Sequence, residues 1–397
     1  MKQKAKSVFW APQWTVVMMI LILIFTMAGC QANQNTVLAE DGGKYMPGGE
    51  YGGGHWLIGV MHSHTNFSDG EDDPEVMLEY AKNEAGLDYY IVTDHNYSED
   101  CSEMGPEEFA GLRVIVAAKA KELGLLADVG EEVGAYSTSE NIKYPGYPTW
   151  FGEFVALNIT NFIDGAEKKM EELLPQAIAD NPGMIASIAH PFNYAEDCAW
   201  MASWYIPGIT HMEVWNAYED GDYYTGDWAQ MGEIDDIYNP IAFTMWDYLN
   251  IRGMRIFGTV GTDTHDVNYL DTAYSVNYIG SGPATMEAIY DSFKKGRFYG
   301  SNGPRITEFT INGVMMGGVV SAGEVEIAIA IDYNKTINSV KLYKSGYLFD
   351  EWVPGGPSFE ITLTDDAEEW DFYRITVECE GDERPGFAYS NPIFIAE

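Results

Sequence analysis

Basic residues are scarce in this sequence: 22 lysines and arginines face 61 aspartates and glutamates, a formal net charge of −39. A surface of that sign repels polyanions at long range, which argues against a nucleic-acid partner and suits the solubilising surface of an exported chain. Cysteine is scarce as well, with 4 in 397 residues, too few for a disulfide-built scaffold. No segment repeats, and no G-x-S-x-G turn offers a serine nucleophile. What the chain does have is apolar content, 46% hydrophobic and 14% aromatic. That is enough for a sizeable core, in a length that suits about two or three domains.

The N-terminus carries a targeting pattern. Lys2, Lys4 and Lys6 precede an apolar run from Val16 to Phe25 that is too short for a comfortable membrane span. The run ends in Met27-Ala28-Gly29-Cys30, which resembles a bacterial lipoprotein signal sequence. That resemblance implies a signal peptide over residues 1–30 and lipidation of Cys30, although Met27 stands where leucine is more usual. An uncleaved N-terminal anchor is the alternative; either way the expectation is an exported, membrane-anchored chain, at the cell surface or in the periplasm. Residues 31–54 are polar and glycine-rich and read as a flexible tether. Of the remaining cysteines, Cys101, Cys198 and Cys379, at least one stays unpaired in a monomer. Cys101 and Cys198 each follow a histidine closely, so a disulfide between them is one possibility that sequence alone does not fix.

From residue 55 short apolar runs recur, several ending in polar clusters: 55–64, 89–95, 125–134, 153–160, 183–190, 211–216 and 256–265. They read as buried strands of a parallel sheet. Between some of them lie helical patterns. One starts at Asp73-Pro74 with Met77, Leu78, Ala81 and Ala85 on its apolar face, and one opens at Pro106 with Phe109, Leu112, Val116, Ala120 and Leu123. A third runs from Ala284 to Lys295 and stops at Gly296. Alternating strands and helices over 55–304 predict an α/β barrel, with seven candidate strands. Residues 196–250, rich in Trp, Tyr, Asp and Glu, read as a long insertion that is either a substrate wall or a solvated surface excursion. After Pro304 only alternating strand patterns and turn signals appear, so 305–397 reads as a small β-sandwich.

Chemistry is concentrated at the strand ends. His62 and His64 are two apart, so in a strand both imidazoles face one side. Asp263 and His265 repeat that spacing, Asp69 follows the first strand, His95 ends the second, Glu131-Glu132 lie in the third, and His190 ends the fifth. Of 7 histidines, 5 fall at the carboxyl ends of predicted strands, the face where barrel active sites form. Imidazoles beside carboxylates suit Zn²⁺, Mn²⁺ or Fe²⁺. Neither His55 nor His211 fits a ligand position, and both read as structural. Glu213 and Asn216 on the sixth strand are candidates to line the pocket, Asp94 a partner behind the ligands.

The series His62-x-His64-x-x-x-Ser68-Asp69-Gly70, Thr93-Asp94-His95, Glu132, His190 and Asp263-x-His265 resembles the PHP (polymerase and histidinol phosphatase) superfamily of metal-dependent phosphoesterases, over residues 55–304. Gly296-Arg297 and Ser301-Asn302-Gly303-Pro304, leading into a β domain, resemble its carbaryl-hydrolase-like branch. The resemblance implies a distorted seven-stranded barrel holding two or three divalent metal ions (Zn, Mn or Fe). His62, His64, Glu132 and Asp263 would hold the first; Glu132 would bridge to a second, also bound by His190; Asp69, His95 and His265 would hold the third. Where many members carry a histidine at the start of the fourth strand, this chain has Glu153. Glu153 either replaces that ligand or lies at the surface beside a weakened second site.

The resemblance implies a metal-dependent hydrolase that uses a metal-activated hydroxide on a small, phosphorylated molecule, a phosphomonoester or phosphodiester. Hydrolysis of a carbamate, carboxyl ester or amide is the alternative, and a non-catalytic, metal-stabilised binding lipoprotein is the alternative of another class. Arg297 and Arg305 would either pair with a phosphate or hold the domain junction.

Overall fold

The computed structural model describes residues 45–97, 104–140, 148–165, 168–192, 206–217, 238–381 and 384–397. The signal sequence with Cys30, most of the tether, Cys101, Cys198 and the acidic, aromatic run 218–237 lie outside the described residues.

In the first part of the chain the strands are β1 (Gly49–Tyr51), β2 (Gly54–Val60), β3 (Tyr89–Val92), β4 (His95–Tyr97), β5 (Leu126–Val129) and β6 (Glu131–Glu140). They continue as β7 (Pro148–Leu157), β8 (Ile185–Ile188), β9 (His211–Asn216), β10 (Phe257–Gly261), β11 (Tyr274–Gly280) and β12 (Phe298–Ser301). Helices α1 (Pro74–Asn83), α2 (Pro106–Leu123), α3 (Met170–Asp180), α4 (Tyr238–Ile251) and α5 (Met286–Lys294) lie among them. The fold class is therefore mixed α/β, and all seven runs picked out above contain a strand.

Helix boundaries follow local chemistry. Proline opens α1 and α2, where its missing N–H costs nothing. The Thr285 hydroxyl accepts from Ala288 N at 3.2 Å and caps α5, worth about 1 kcal/mol. That helix ends at Gly296, whose φ of 63° is left-handed, as the stop signal predicted. The helix α4 falls inside the stretch read as an insertion; its Trp246 and Leu249 are buried, so the end of that stretch is core.

The strands form two sheets rather than one continuous ladder. One contains the order β12-β11-β2-β3-β5, the other β10-β9-β8-β7-β6-β4. Pairing is not all parallel, as the sequence reading had it: β7 is antiparallel to both β6 and β8, and β11 is antiparallel to β2 and β12. Only seven residues separate Glu140 from Pro148, and so short a connection cannot make the crossover that a parallel pair needs. The sheets meet at their strand ends, through a parallel bridge of Ser63 to Thr264 and a hydrogen bond from Glu132 N to Thr93 O at 3.1 Å. Between them Met61, Tyr89, Ile91, Val155, Leu157 and Ile185 pack with Phe293 of α5 in an enclosed apolar cluster.

The C-terminal region is all strand among the described residues: β13 (Arg305–Ile311), β14 (Val314–Met315), β15 (Val319–Ser321), β16 (Gly323–Asp332), β17 (Ile337–Lys344), β18 (Tyr347–Trp352), β19 (Ser358–Ala367), β20 (Phe372–Cys379), β21 (Gly386–Ser390) and β22 (Ile393–Ala396). A four-stranded sheet, β14-β13-β16-β19, stands apart. The others do not: β21 pairs antiparallel with β12, so the sheet that carries β2 and β3 runs on into the C-terminal region to a total of 12 strands. A buried ion pair adds to this, Arg374 Nε donating to Asp247 Oδ1 of α4 at 2.7 Å.

Residues 45–54 differ from the expected tether. β1 is paired with β2, Tyr51 stacks on Trp56 at 5.3 Å, and the Tyr45 hydroxyl donates to Asp332 Oδ2 at 2.6 Å. Aromatic side chains supply there the packing that a glycine-rich stretch lacks.

Candidate metal centre

Each functional side chain is fixed by a strand end. Beyond β2 the backbone is held on both flanks: Asp263 N donates to His62 O at 3.0 Å, His64 N to Thr264 O at 2.8 Å, and Thr93 N to Ser63 O at 2.8 Å. Alternation then sends His62 and His64 to one side and Ser63 to the other, where its hydroxyl donates to Ile91 O at 3.1 Å. The same rule separates Glu131 from Glu132. Glu132 enters the cluster, while Glu131 points away and accepts from Ile163 N at 3.1 Å.

The side chains form three groups able to hold a metal ion: His62, His64, Glu132 and Asp263; His95, Glu132 and Glu153; and His64, Asp69, His95 and His265. In the first, Glu132 Oε2 lies 2.9 Å from His62 Nε2 and 3.1 Å from His64 Nε2, and Asp263 Oδ1 lies 3.2 and 3.0 Å from the same two nitrogens. The other Glu132 oxygen, Oε1, lies 2.8 Å from His190 Nε2, so one carboxylate serves two groups. His190 Nε2 is also 3.7 Å from Glu153 Oε2, and His95 Nδ1 is 3.3 Å from Glu153 Oε1. Glu153 is thus buried in the cluster, and the surface alternative for it is set aside. In the third group Asp69 Oδ2 is 3.2 Å from His265 Nε2 and 3.6 Å from His95 Nε2. All nine side chains singled out in the sequence come together here.

His64 faces two groups at once, Nε2 toward Asp263 and Nδ1 toward Asp69 at 3.6 Å. A neutral imidazole has one free lone pair, so it serves one ion at a time.

A second layer holds the first. His62 Nδ1 donates to Glu213 Oε1 at 2.7 Å, which leaves Nε2 unprotonated toward the cluster. Glu213 Oε2 accepts from His190 N at 2.9 Å, and Asn216 Nδ2 donates to Asp263 Oδ2 at 3.2 Å. His265 Nδ1 donates to Asp263 O at 2.8 Å, which frees its Nε2 in the same way. Asp94 serves the loop rather than a ligand, accepting from Thr65 N at 2.7 Å and from the Ser68 hydroxyl at 2.6 Å, and so places Asp69. Asn239 was not legible in the sequence; it brackets the Asn216 backbone, Oδ1 accepting from N at 2.9 Å and Nδ2 donating to O at 3.0 Å.

The electrostatics demand positive charge between the carboxylates. Burial alone would lower the pKa of His62, but the charges of Glu132, Glu213 and Asp263 outweigh it and hold it well above its ordinary value. Against its own burial, His190 is raised to about 10, chiefly by Glu132. Burial opposes ionisation of Glu132 and Asp263 too, yet the imidazolium charges hold both well below the usual carboxylate range. Protons on the imidazoles or metal ions among them supply the same charge. His64 Nδ1 is buried with no hydrogen-bond partner among the described residues and faces Asp69 at 3.6 Å, so no structural hydrogen bond claims this ring.

The remaining candidates lie elsewhere. His211 Nε2 donates to Phe293 O at 3.0 Å behind the sheet, and burial lowers its pKa to about 4. His55 sits near Glu50 at 3.4 Å, half exposed. The Arg305 guanidinium donates through Nε to Met46 O at 3.0 Å and lies 4.5 Å over the Tyr45 ring, a junction contact rather than a phosphate clamp.

No family model matches the chain, and no curated protein does. Among solved structures it is similar to a two-domain protein from Bacteroides vulgatus ATCC 8482 that contains a predicted PHP-like metal-dependent phosphoesterase, with 14% identity and a TM-score of 0.49 over 88% of this chain and 98% of that one. It is similar also to PsfC from Pseudomonas syringae PB-5123, with 15% identity and a TM-score of 0.37 over 60% of this chain and 88% of that one. Likenesses of that depth assign neither family nor activity, so the functional reading rests on the residues of the cluster itself.

Proposed function

We propose that this chain is a metal-dependent hydrolase of the PHP superfamily, acting on a small phosphomonoester or phosphodiester. The observation that carries the reading is Glu132, whose two oxygens face separate sets of imidazoles, at 2.9 Å from His62 and 2.8 Å from His190. His62, His64, Glu132 and Asp263 would hold one ion, Glu132, Glu153 and His190 a second, and Asp69, His95 and His265 a third. Nitrogen and carboxylate donors in this mixture suit Zn²⁺, Mn²⁺ or Fe²⁺. Bound divalent ions lower the pKa of water and neutralise charge on the attacked group.

The chain's own residues supply orientation. Glu213 and the Asp263 carbonyl fix the tautomers of His62 and His265. Asp69 and His265 are the more exposed members, with 26% and 21% of their side chains accessible, so substrate meets the cluster at that rim. His62, His64 and Glu132 are wholly buried, which keeps their positions preorganised.

Elemental analysis of residues 31–397 tests the reading. Two or more equivalents of zinc, manganese or iron per chain, lost in Asp263→Ala, are the expected result; no metal after incubation with excess ions would sink it. With metal present, faster turnover of nitrophenyl phosphate or bis-nitrophenyl phosphate than of nitrophenyl acetate supports phosphoester chemistry, and the reverse order favours the ester reading. We also propose that the chain works outside the cytoplasm, lipidated on Cys30, on the support of the basic residues, short apolar run and Ala28-Gly29-Cys30. Palmitate labelling in a bacterial host is expected, and its persistence in Cys30→Ala would exclude that site.

A further inference from the structure

Strand β10 delivers Asp263 to the cluster, yet among the described residues only one of its edges carries a ladder, that with β9. At Gly258 the other edge is filled by a side chain from the far end of the sequence. Asn391 Oδ1 accepts from Gly258 N at 2.8 Å, and its Nδ2 donates to Gly258 O at 3.2 Å and to Phe298 O of β12 at 3.0 Å. A carboxamide that both accepts from and donates to one residue imitates a strand neighbour. Here it bridges β10 to β12, two strands of different sheets. The bridge has no room to slip. A Cβ at Gly258 would lie 2.9 Å from the Trp246 ring and 3.0 Å from Val214.

Two residues earlier, Tyr389 fills the space beside Trp215 and Trp246, with ring centroids 6.5 and 5.9 Å away. Its hydroxyl is buried and has no hydrogen-bond partner among the described residues. The end of Asp263's strand adds a constraint of its own, since Asp263 itself has a φ of 50°, costly for a residue other than glycine unless its surroundings impose it.

We propose that the C-terminal region is part of the support of the metal centre: Asn391 is a positioning residue for Asp263, acting through β10. The proposal rests on the metal-centre reading above. It makes the C-terminal strands a structural requirement for ion binding rather than an appended module.

The test is cobalt(II) titration of residues 31–397, followed by visible absorption and calorimetry, alongside urea unfolding without metal. Asn391→Leu, which acts on Asp263 at one remove, is expected to weaken cobalt binding about ten-fold, the lower end of what losing a direct partner of a metal ligand costs, and to change the absorption. Asn391→Ser, which is smaller but still polar, is expected to change the absorption in the same direction. Ile329→Ala, a buried truncation in the separate four-stranded sheet, is the control: it should lower stability and leave cobalt binding as in the wild type. If Asn391→Leu does not fold, Asn391→Ser decides. Wild-type cobalt affinity and absorption in both variants, whatever their stability, overturn the proposal. Wild-type protein that takes up no cobalt overturns the metal reading and this proposal with it.

Discussion

At the scale of single residues, neighbours in sequence play opposite parts. Glu131 and Glu132 are equally buried, but one accepts a backbone N–H while the other joins four imidazoles and two further carboxylates. His211 makes the contrast among histidines. Its folded pKa, about 4, lies below the ordinary 6.5, so the folded state holds it neutral. That contribution is complete above pH 6.5 and is lost as pH falls through about 4, an effect of about 3 kcal/mol. Urea unfolding between pH 7 and pH 4 is expected to show a steeper acid loss in wild-type protein than in His211→Gln; equal slopes would mean that His211 takes up its proton without cost. Cys379 is a buried thiol whose pKa burial pushes up to about 12, which makes it a poor nucleophile and a packing residue.

At the scale of elements, the Asp247–Arg374 pair joins α4 to β20. Both groups are buried, at 7% and 3% exposure, so removing one strands the other. Asp247→Ala is expected to cost about 3–5 kcal/mol in urea unfolding, and Asp247→Leu with Arg374→Met to recover most of it. If the single variant cost nothing, the pair would be solvated and the joint between the two elements loose. The sequence showed the elements that obey a simple rule. Each of the seven apolar runs holds a strand, and the prolines and Gly296 mark helix ends. Strands β11 and β12 were not legible. Ser275 and Asn277 break the apolar pattern of the first, and their polar groups are satisfied internally, Tyr89 donating to Asn277 Oδ1 at 2.8 Å. The second is four residues long and gains its identity from β21, almost ninety residues onward. The pairs His62/His64 and Asp263/His265 were legible, because i, i+2 spacing at a strand end is a local property; Glu153 was not settled by the sequence, since only the packing of β7 against its neighbours buries it. Nor was Glu213's grip on His62, since it depends on which strands lie side by side.

At the scale of the whole molecule, charge shapes what can approach. No lysine or arginine stands between Lys169 and Arg252, the stretch that contains His190 and Glu213. With a net charge of −39 overall, an anionic substrate meets repulsion that salt relieves, the screening length being about 10 Å at 0.1 M. We expect kcat/KM for nitrophenyl phosphate to rise between low and physiological ionic strength, and that for neutral nitrophenyl acetate to stay level. A fall for the phosphate would reveal a local cationic site that outweighs the field.

The joint between β12 and β21 also bears on inheritance. Gly300 leaves no space for a Cβ against the Tyr389 ring, and Gly258 none against Trp246. A C-terminal region recombined from another lineage would arrive with its own residue at position 389, and an aromatic ring there would seat only where the recipient carried glycine at position 300. A chimaera joined at residue 304 is therefore expected to need that pair kept together.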